Sequence, residues 1–156
     1  MRDFQRQKVY NAEREWRKEI GEYPKLELLE IEVLATKMLR SRGINCPVKI
    51  RPGKGNRRAT ANFRWGWAEL TFPIWSRTLP IVVHETAHIV AWKAAGGGHG
   101  PTFCRASLCL VRDYIGLTQA SLLQTYYTKH RLIVSEAQEA HRNRKSHIEA
   151  RLKISL

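Results

Sequence analysis

The chain contains no C-x-x-C pair. Its three cysteines, Cys46, Cys104 and Cys109, fit neither a disulfide framework nor a cysteine zinc site. A reducing compartment is therefore expected, with Cys104 and Cys109 as small core-facing residues of a helix. No apolar run reaches the roughly 20 residues of a membrane span. Met1-Arg2-Asp3-Phe4-Gln5-Arg6 is not followed by the apolar stretch of a secretory signal. A cytoplasmic location and no membrane partner are expected. Internal repeats and low-complexity linkers are also lacking, and 156 residues suit one domain with a proper core. Acidic residues are missing between Glu32 and Glu69. Every charged residue in that stretch is basic: Lys37, Arg40, Arg42, Lys49, Arg51, Lys54, Arg57, Arg58 and Arg64. With a net charge of +13, this run favours a polyanionic partner, nucleic acid first. The alternative is a solvated surface that keeps the protein soluble. A membrane surface is disfavoured because no basic amphipathic helix accompanies the charge.

What is present is concentrated in Leu79 to Ala95, an almost wholly apolar run interrupted by His84-Glu85-Thr86-Ala87-His88. Pro80 suits a first helical turn. Ile81, Val82, Val83, Ala87, Ile89, Val90, Ala91 and Trp92 leave almost no polar face, which predicts a buried helix. Buried histidines and a buried glutamate cost several kcal/mol unless paired or metal-bound. Histidines at i and i+4 project from one helix face, one turn apart, and can share one metal ion, normally Zn²⁺. Glu85, one position along, can reach a metal-bound water and act as general base. The plain alternative is a pair of core histidines hydrogen-bonded to backbone. A catalytic zinc needs three protein ligands and an open position, and His99 is the third candidate. Gly96-Gly97-Gly98 can take positive φ past the helix end, so the chain can reverse and return His99 beside His84 and His88. One zinc per chain is the expected cofactor, while manganese and cobalt also suit imidazole ligands.

Along the chain, residues 4–20 read as a helix with Val9, Ala12, Trp16 and Ile20 inward, ended by Gly21 and Pro24. A second helix spans 25–42, with Leu28, Ile31, Leu34, Ala35 and Met38 inward, stopped by Gly43. Val48 and Ile50 alternate with Lys49 and Arg51 as a short strand, and Pro52 to Asn56 form a turn. Two further strands cover 58–64 and 67–72, broken or bulged near Gly66. The metal helix occupies about 78–95, followed by helices near 101–115 and 118–129, the last capped by Thr118. Residues 131–156 are helix-prone, basic and sparsely apolar, which suits a solvated or partner-binding helix. Helices, a small sheet, then helices make an α+β protein. Phe63, Trp65 and Trp67 lie among arginines and could stack on unpaired bases; at least two are expected in the core. Lys49, Arg51, Lys54, Arg57, Arg58 and Arg64 are the candidate nucleic-acid contacts.

The run His84-Glu85-Thr86-Ala87-His88-Ile89-Val90-Ala91-Trp92-Lys93, followed by His99-Gly100-Pro101-Thr102-Phe103, resembles the SprT family of zinc metallopeptidases. That family includes the Spartan proteases, which degrade proteins crosslinked to DNA. The resemblance covers roughly residues 25–115. It implies a zincin-like core of the minigluzincin type, with a small three-stranded antiparallel sheet packed on helices. Residues 1–130 would form one such domain, with 1–24 as an N-terminal helix and 131–156 as a basic helical tail. It also implies His84, His88 and His99 as zinc ligands and Glu85 as the catalytic acid/base. The expected activity is hydrolysis of peptide bonds in DNA-associated proteins, with single-stranded or damaged DNA as partner. Bacterial members usually carry a C-terminal cysteine-rich zinc ribbon; this chain has none, and DNA would be met by the 49–64 strands or the tail.

A second donor for the reaction's oxyanion has four candidates by residue type: Tyr114, Tyr126, Tyr127 and His130. An extended substrate could add to an open sheet edge. Two rival readings stand beside the enzyme. One is a nucleic-acid-binding protein whose zinc is closed by a fourth protein ligand. The other is a virion or assembly protein that keeps a protease-like fold. A small basic chain without the ribbon is compatible with phage origin, which would place it in the host cytoplasm or the virion.

Overall fold

A helix that is apolar on all sides must be enclosed on all sides, and helix α3 (Leu79–Ala95) is built that way. In this computed structural model, which describes residues 3–95 and 97–136, α3 lies between two cores. Val83, Ala87 and Ala91 pack with Val9, Ala12 and Trp16 of α1 (Arg6–Ile20), Phe103 and Leu110 of α4 (Pro101–Tyr114), and Leu123 and Tyr127 of α5 (Leu117–Lys129). On its other side, Val82 and Ile89 pack with Ile31, Ala35 and Leu39 of α2 (Leu28–Ser41) and with the inner face of the sheet. The described residues form five α-helices and a small mixed sheet, an α+β arrangement. No described helix is long and apolar enough to cross a membrane.

The sheet comprises β1 (Val48–Pro52), β2 (Thr60–Arg64) and β3 (Trp67–Phe72) in the order β1-β3-β2. β2 pairs antiparallel with β3, but β1 pairs parallel with it, Val48 opposite Ala68. The expected all-antiparallel sheet is thus corrected to a mixed one. The reason is the connection. Residues 53–66, which include β2, act as the crossover that parallel neighbours need, and the hairpin folds β3 back between the other two strands. Alternation in the sequence specifies that a strand exists, not which strand becomes central.

The break expected near Gly66 is a two-residue hairpin turn, Trp65-Gly66, with φ of 55° and 80°. Positive φ at both positions matches the twist of a tight hairpin. This turn also resets the side-chain parity. Phe63 faces Ala68 and joins the inner core. Trp67 pairs with Arg64 on the outer face, and Trp65 at the tip is 94% exposed. One of the three aromatics is core, not two. The fifth helix starts at Leu117 with Gly116 as N-cap, so Thr118 is the second residue of its first turn rather than the cap. Residues 131–136 are not helical; Ile133 is tied to Gln5, and the Ser135 N–H donates to the Pro101 carbonyl at 3.1 Å. The remainder of the expected helical tail lies outside the described residues.

Along α1, Val9, Ala12, Glu13 and Trp16 form one buried stripe at helical spacing. Trp16 is 2% exposed, and its Nε1–H donates to the Gln119 carbonyl at 3.1 Å, tying α1 to α5. Trp16→Ala should cost about 3–5 kcal/mol, read as a lower urea midpoint with an unchanged slope. This anchoring matters for the site, because α1 carries residues that reach the histidines.

Candidate metal centre

The one-turn spacing on α3 sets His84 and His88 side by side, ring centroids 5.0 Å apart. The reversal after α3 then delivers His99, 5.4 Å from His84 and 4.6 Å from His88 by the same measure. Gly97 and Gly98 make that reversal with φ of 85° and 78°. At Gly97 a Cβ would lie 2.9 Å from the Trp92 ring, so both backbone angle and space demand glycine. One ligand atom from each of the three histidines lies within 4.8 Å of the others, close enough to hold one metal ion. Phe103 packs beneath all three rings, at 5.0, 4.5 and 4.9 Å. Gly97→Ala should displace His99 and weaken zinc binding by about 10–100-fold, measured by competition with a chelator of known affinity. Unchanged affinity would show that the loop tolerates the clash without moving His99.

Two carboxylates from the N-terminal arm and α1 orient the imidazoles. The Glu13 Oε2 atom lies 2.7 Å from His84 Nδ1, and Asp3 Oδ2 lies 2.8 Å from His99 Nδ1. An ionised carboxylate only accepts, so a ring proton sits on Nδ1 in both cases, and in the neutral ring Nε2 keeps its lone pair. Asp3 Oδ1 also accepts the His99 backbone N–H at 3.1 Å. Gln5, which is buried, donates to the His99 carbonyl at 3.2 Å. The His99 Nε2 atom is buried and has no hydrogen-bond partner. A buried nitrogen left unpaired is costly, and this one is fixed with its lone pair beside two other imidazoles. Carboxylate-backed histidines of this kind are what metal ligands usually carry as outer support. The residues fit a metal ion.

Burial sets the protonation states. It pushes His88 down to about 2, helped by the neighbouring imidazoles, so that ring is neutral and able to ligate. Burial also lowers His99. At His84 burial acts downward too, but the charge and hydrogen bond of Glu13 outweigh it and the net shift is upward. Glu13 is held below the ordinary carboxylate value despite its burial, by His84 first and then Arg17. Glu85 moves the opposite way: burial raises it.

Glu85 opens onto a cleft of about 310 Å³, lined also by Tyr10, Arg14, Arg17, Arg58 and Trp75. Tyr10 stacks beside the ligands, its ring 4.9 Å from His99 and 5.9 Å from His84. The four candidate oxyanion donors are elsewhere, and none lines this cleft. Tyr127 is fully buried and donates to Glu13 Oε1 at 3.2 Å. The Tyr126 hydroxyl is bonded to Glu19, and His130 lies 2.9 Å from Glu15. Tyr114 lines a separate pocket together with Val33 and Lys37 of α2. Among the candidate nucleic-acid contacts, all six are exposed. Arg51 is bridged to Glu69 at 2.8 Å, Lys49 sits 5.1 Å over the Trp67 ring, and Arg58 alone of the six reaches the cleft.

Sequence reasoning brought the three histidines and Glu85 together and missed Asp3, Tyr10 and Glu13. Glu13 did carry a signal, since an acid inside an apolar helical stripe needs a buried partner. Asp3 and Tyr10 carried none. No family model, curated protein or solved structure matches the chain. The donor set and its surroundings are therefore the basis for a functional assignment.

Proposed function

We propose that this protein is a zinc-dependent metallopeptidase with a zincin-like core, hydrolysing peptide bonds of DNA-associated proteins. The observation that carries this reading is Glu85, a buried carboxyl next to a candidate ligand and at the wall of a cleft. A metal that only braces a fold needs no such group. His84, His88 and His99 would hold the zinc, which when bound would supply Lewis acidity toward water and the scissile carbonyl. Glu85 takes the proton of the attacking water and delivers it to the leaving amine. Burial raises its pKa, the direction that helps a carboxylate take up a proton and pass it on. Asp3 and Glu13 hold the imidazoles in the ligating tautomer. Tyr10, lining the cleft against two of the rings, is the better placed hydroxyl to meet a developing oxyanion. β2 is an edge strand and Ala59, just before it, lines the cleft. An extended peptide can add to that edge by main-chain hydrogen bonds. The net charge of +13 and the exposed bases Lys49, Arg51, Lys54, Arg57 and Arg64 support attraction to DNA.

The test is incubation with a DNA-binding protein, with and without single-stranded DNA. Cleavage that a chelator abolishes, zinc restores and DNA accelerates is expected. Cleavage indifferent to DNA would keep the peptidase and remove the DNA-associated substrate. A protein that binds zinc and cuts nothing would refute the enzyme.

A further inference from the structure

We propose that the cleft beside Glu85 is a specificity subsite that selects an acidic side chain near the scissile bond. This rests on the peptidase reading above. The cleft's volume, about 310 Å³, is at the small end of ligand pockets and suits one side chain. Its charge is lopsided. Arg14, Arg17 and Arg58 line the cleft together with Glu85, the single carboxylate of the lining. Arg17 is partly committed, 3.6 Å from Glu13. Arg14 and Arg58 make no ion pair among the described residues.

Arg58 is nonetheless held in place. Its guanidinium carbon lies 5.6 Å from the centroid of the Tyr10 ring, which Arg6 also approaches, at 5.8 Å. A cation–π contact orients a guanidinium without neutralising it. The planar fork thus stays available for bidentate pairing with a carboxylate. Trp75 and Ile81 add apolar wall for the aliphatic stem of a glutamate, and Trp75 is fixed by donating its Nε1–H to the Arg57 carbonyl at 2.9 Å. A lysine or arginine in the same place meets like charge, and specificity gains as much from that repulsion as from the attraction. The overall basic charge would then bring the enzyme to a polyanion, while the cleft would choose acidic positions within a protein target.

The test uses peptides that differ only by Glu, Gln or Lys at each position within a few residues of the cut. kcat/KM is measured for the zinc-loaded wild type, for the Arg14→Ala/Arg58→Ala double variant and for Arg58→Glu. The same peptides are titrated by calorimetry into Glu85→Gln, with and without the double substitution. At one position the order Glu, Gln, Lys is expected, spanning at least about tenfold, the size of one charge-assisted hydrogen bond. The double variant should bring that ratio near one, and Arg58→Glu should favour Lys. If nothing is cleaved but the Glu peptide still binds more tightly through Arg14 and Arg58, the subsite stands and the peptidase fails. Cleavage without any acidic preference overturns the subsite and leaves the peptidase intact. Loss of DNA binding in the double variant, with peptide preference unchanged, would make the cleft a nucleic-acid site and also overturn the proposal.

Discussion

Glu85→Gln is expected to slow peptide hydrolysis by about 10²–10⁴-fold, the usual contribution of a general acid–base group. The substitution keeps the shape of a side chain that is 7% exposed and removes only its ability to take up and release a proton. Zinc content should stay at one per chain, because Glu85 is not one of the clustered metal-binding groups. Stability should not fall. Burial raises the Glu85 pKa above 4.5, so its ionised form is less welcome in the folded than in the unfolded chain. The sign follows from proton linkage: this group favours folding below its unfolded pKa and opposes it once pH rises through the folded value. Glutamine removes that opposition at neutral pH. Rate, metal content and thermal midpoint measured on one preparation separate the outcomes. A wild-type rate would refute the role of Glu85, and loss of zinc would make it a ligand.

Glu13→Ala should weaken zinc binding by about 10–100-fold and also destabilise the protein. Glu13 is 2% exposed, and its two oxygens take the His84 ring N–H and the Tyr127 hydroxyl. Alanine leaves both donors buried without partners, at about 1–3 kcal/mol each. Asp3→Asn separates the two effects. The Asp3 side chain is 28% exposed and braces only the His99 loop, so zinc affinity should drop with little change in the urea midpoint. Zinc affinity from chelator competition and urea unfolding of the zinc-free protein are the readouts. An unchanged affinity in Glu13→Ala would show that Glu13 does not support His84 as a metal ligand.

These two predictions also mark how much of the site was legible in the sequence. The histidine trio was legible because its geometry is local: a one-turn spacing on a helix, then glycines that turn the chain back. Phe103, beneath the rings, follows within the same stretch. The carboxylates behind these histidines were not, since 71 and 96 positions separate them from the rings they hold. Only packing of α1 across α3 brings them together. The buried stripe of α1 was legible from Val9, Ala12 and Trp16, yet Glu13 inside it passed as ordinary. In the sheet, the strands were legible but not the parallel pairing of β1 with β3, which depends on the crossover. The count of core aromatics was too high because a two-residue turn shifts the alternation between Phe63 and Ala68, leaving Phe63 alone of the three in the core. The sequence shows the bases from Lys37 to Arg64 without their directions; in the fold Arg58 turns toward the cleft, while Arg51 stays exposed and is bridged to Glu69.

X-ray absorption at the zinc edge, on protein loaded with one equivalent of metal, tests the centre most directly. Three histidine nitrogens at about 2.0–2.1 Å and one solvent oxygen are expected, with that signal lost in His99→Ala. Sulfur in the shell, a fourth protein nitrogen closing it, or no zinc retained after dialysis would contradict a metal held open for catalysis by His84, His88 and His99.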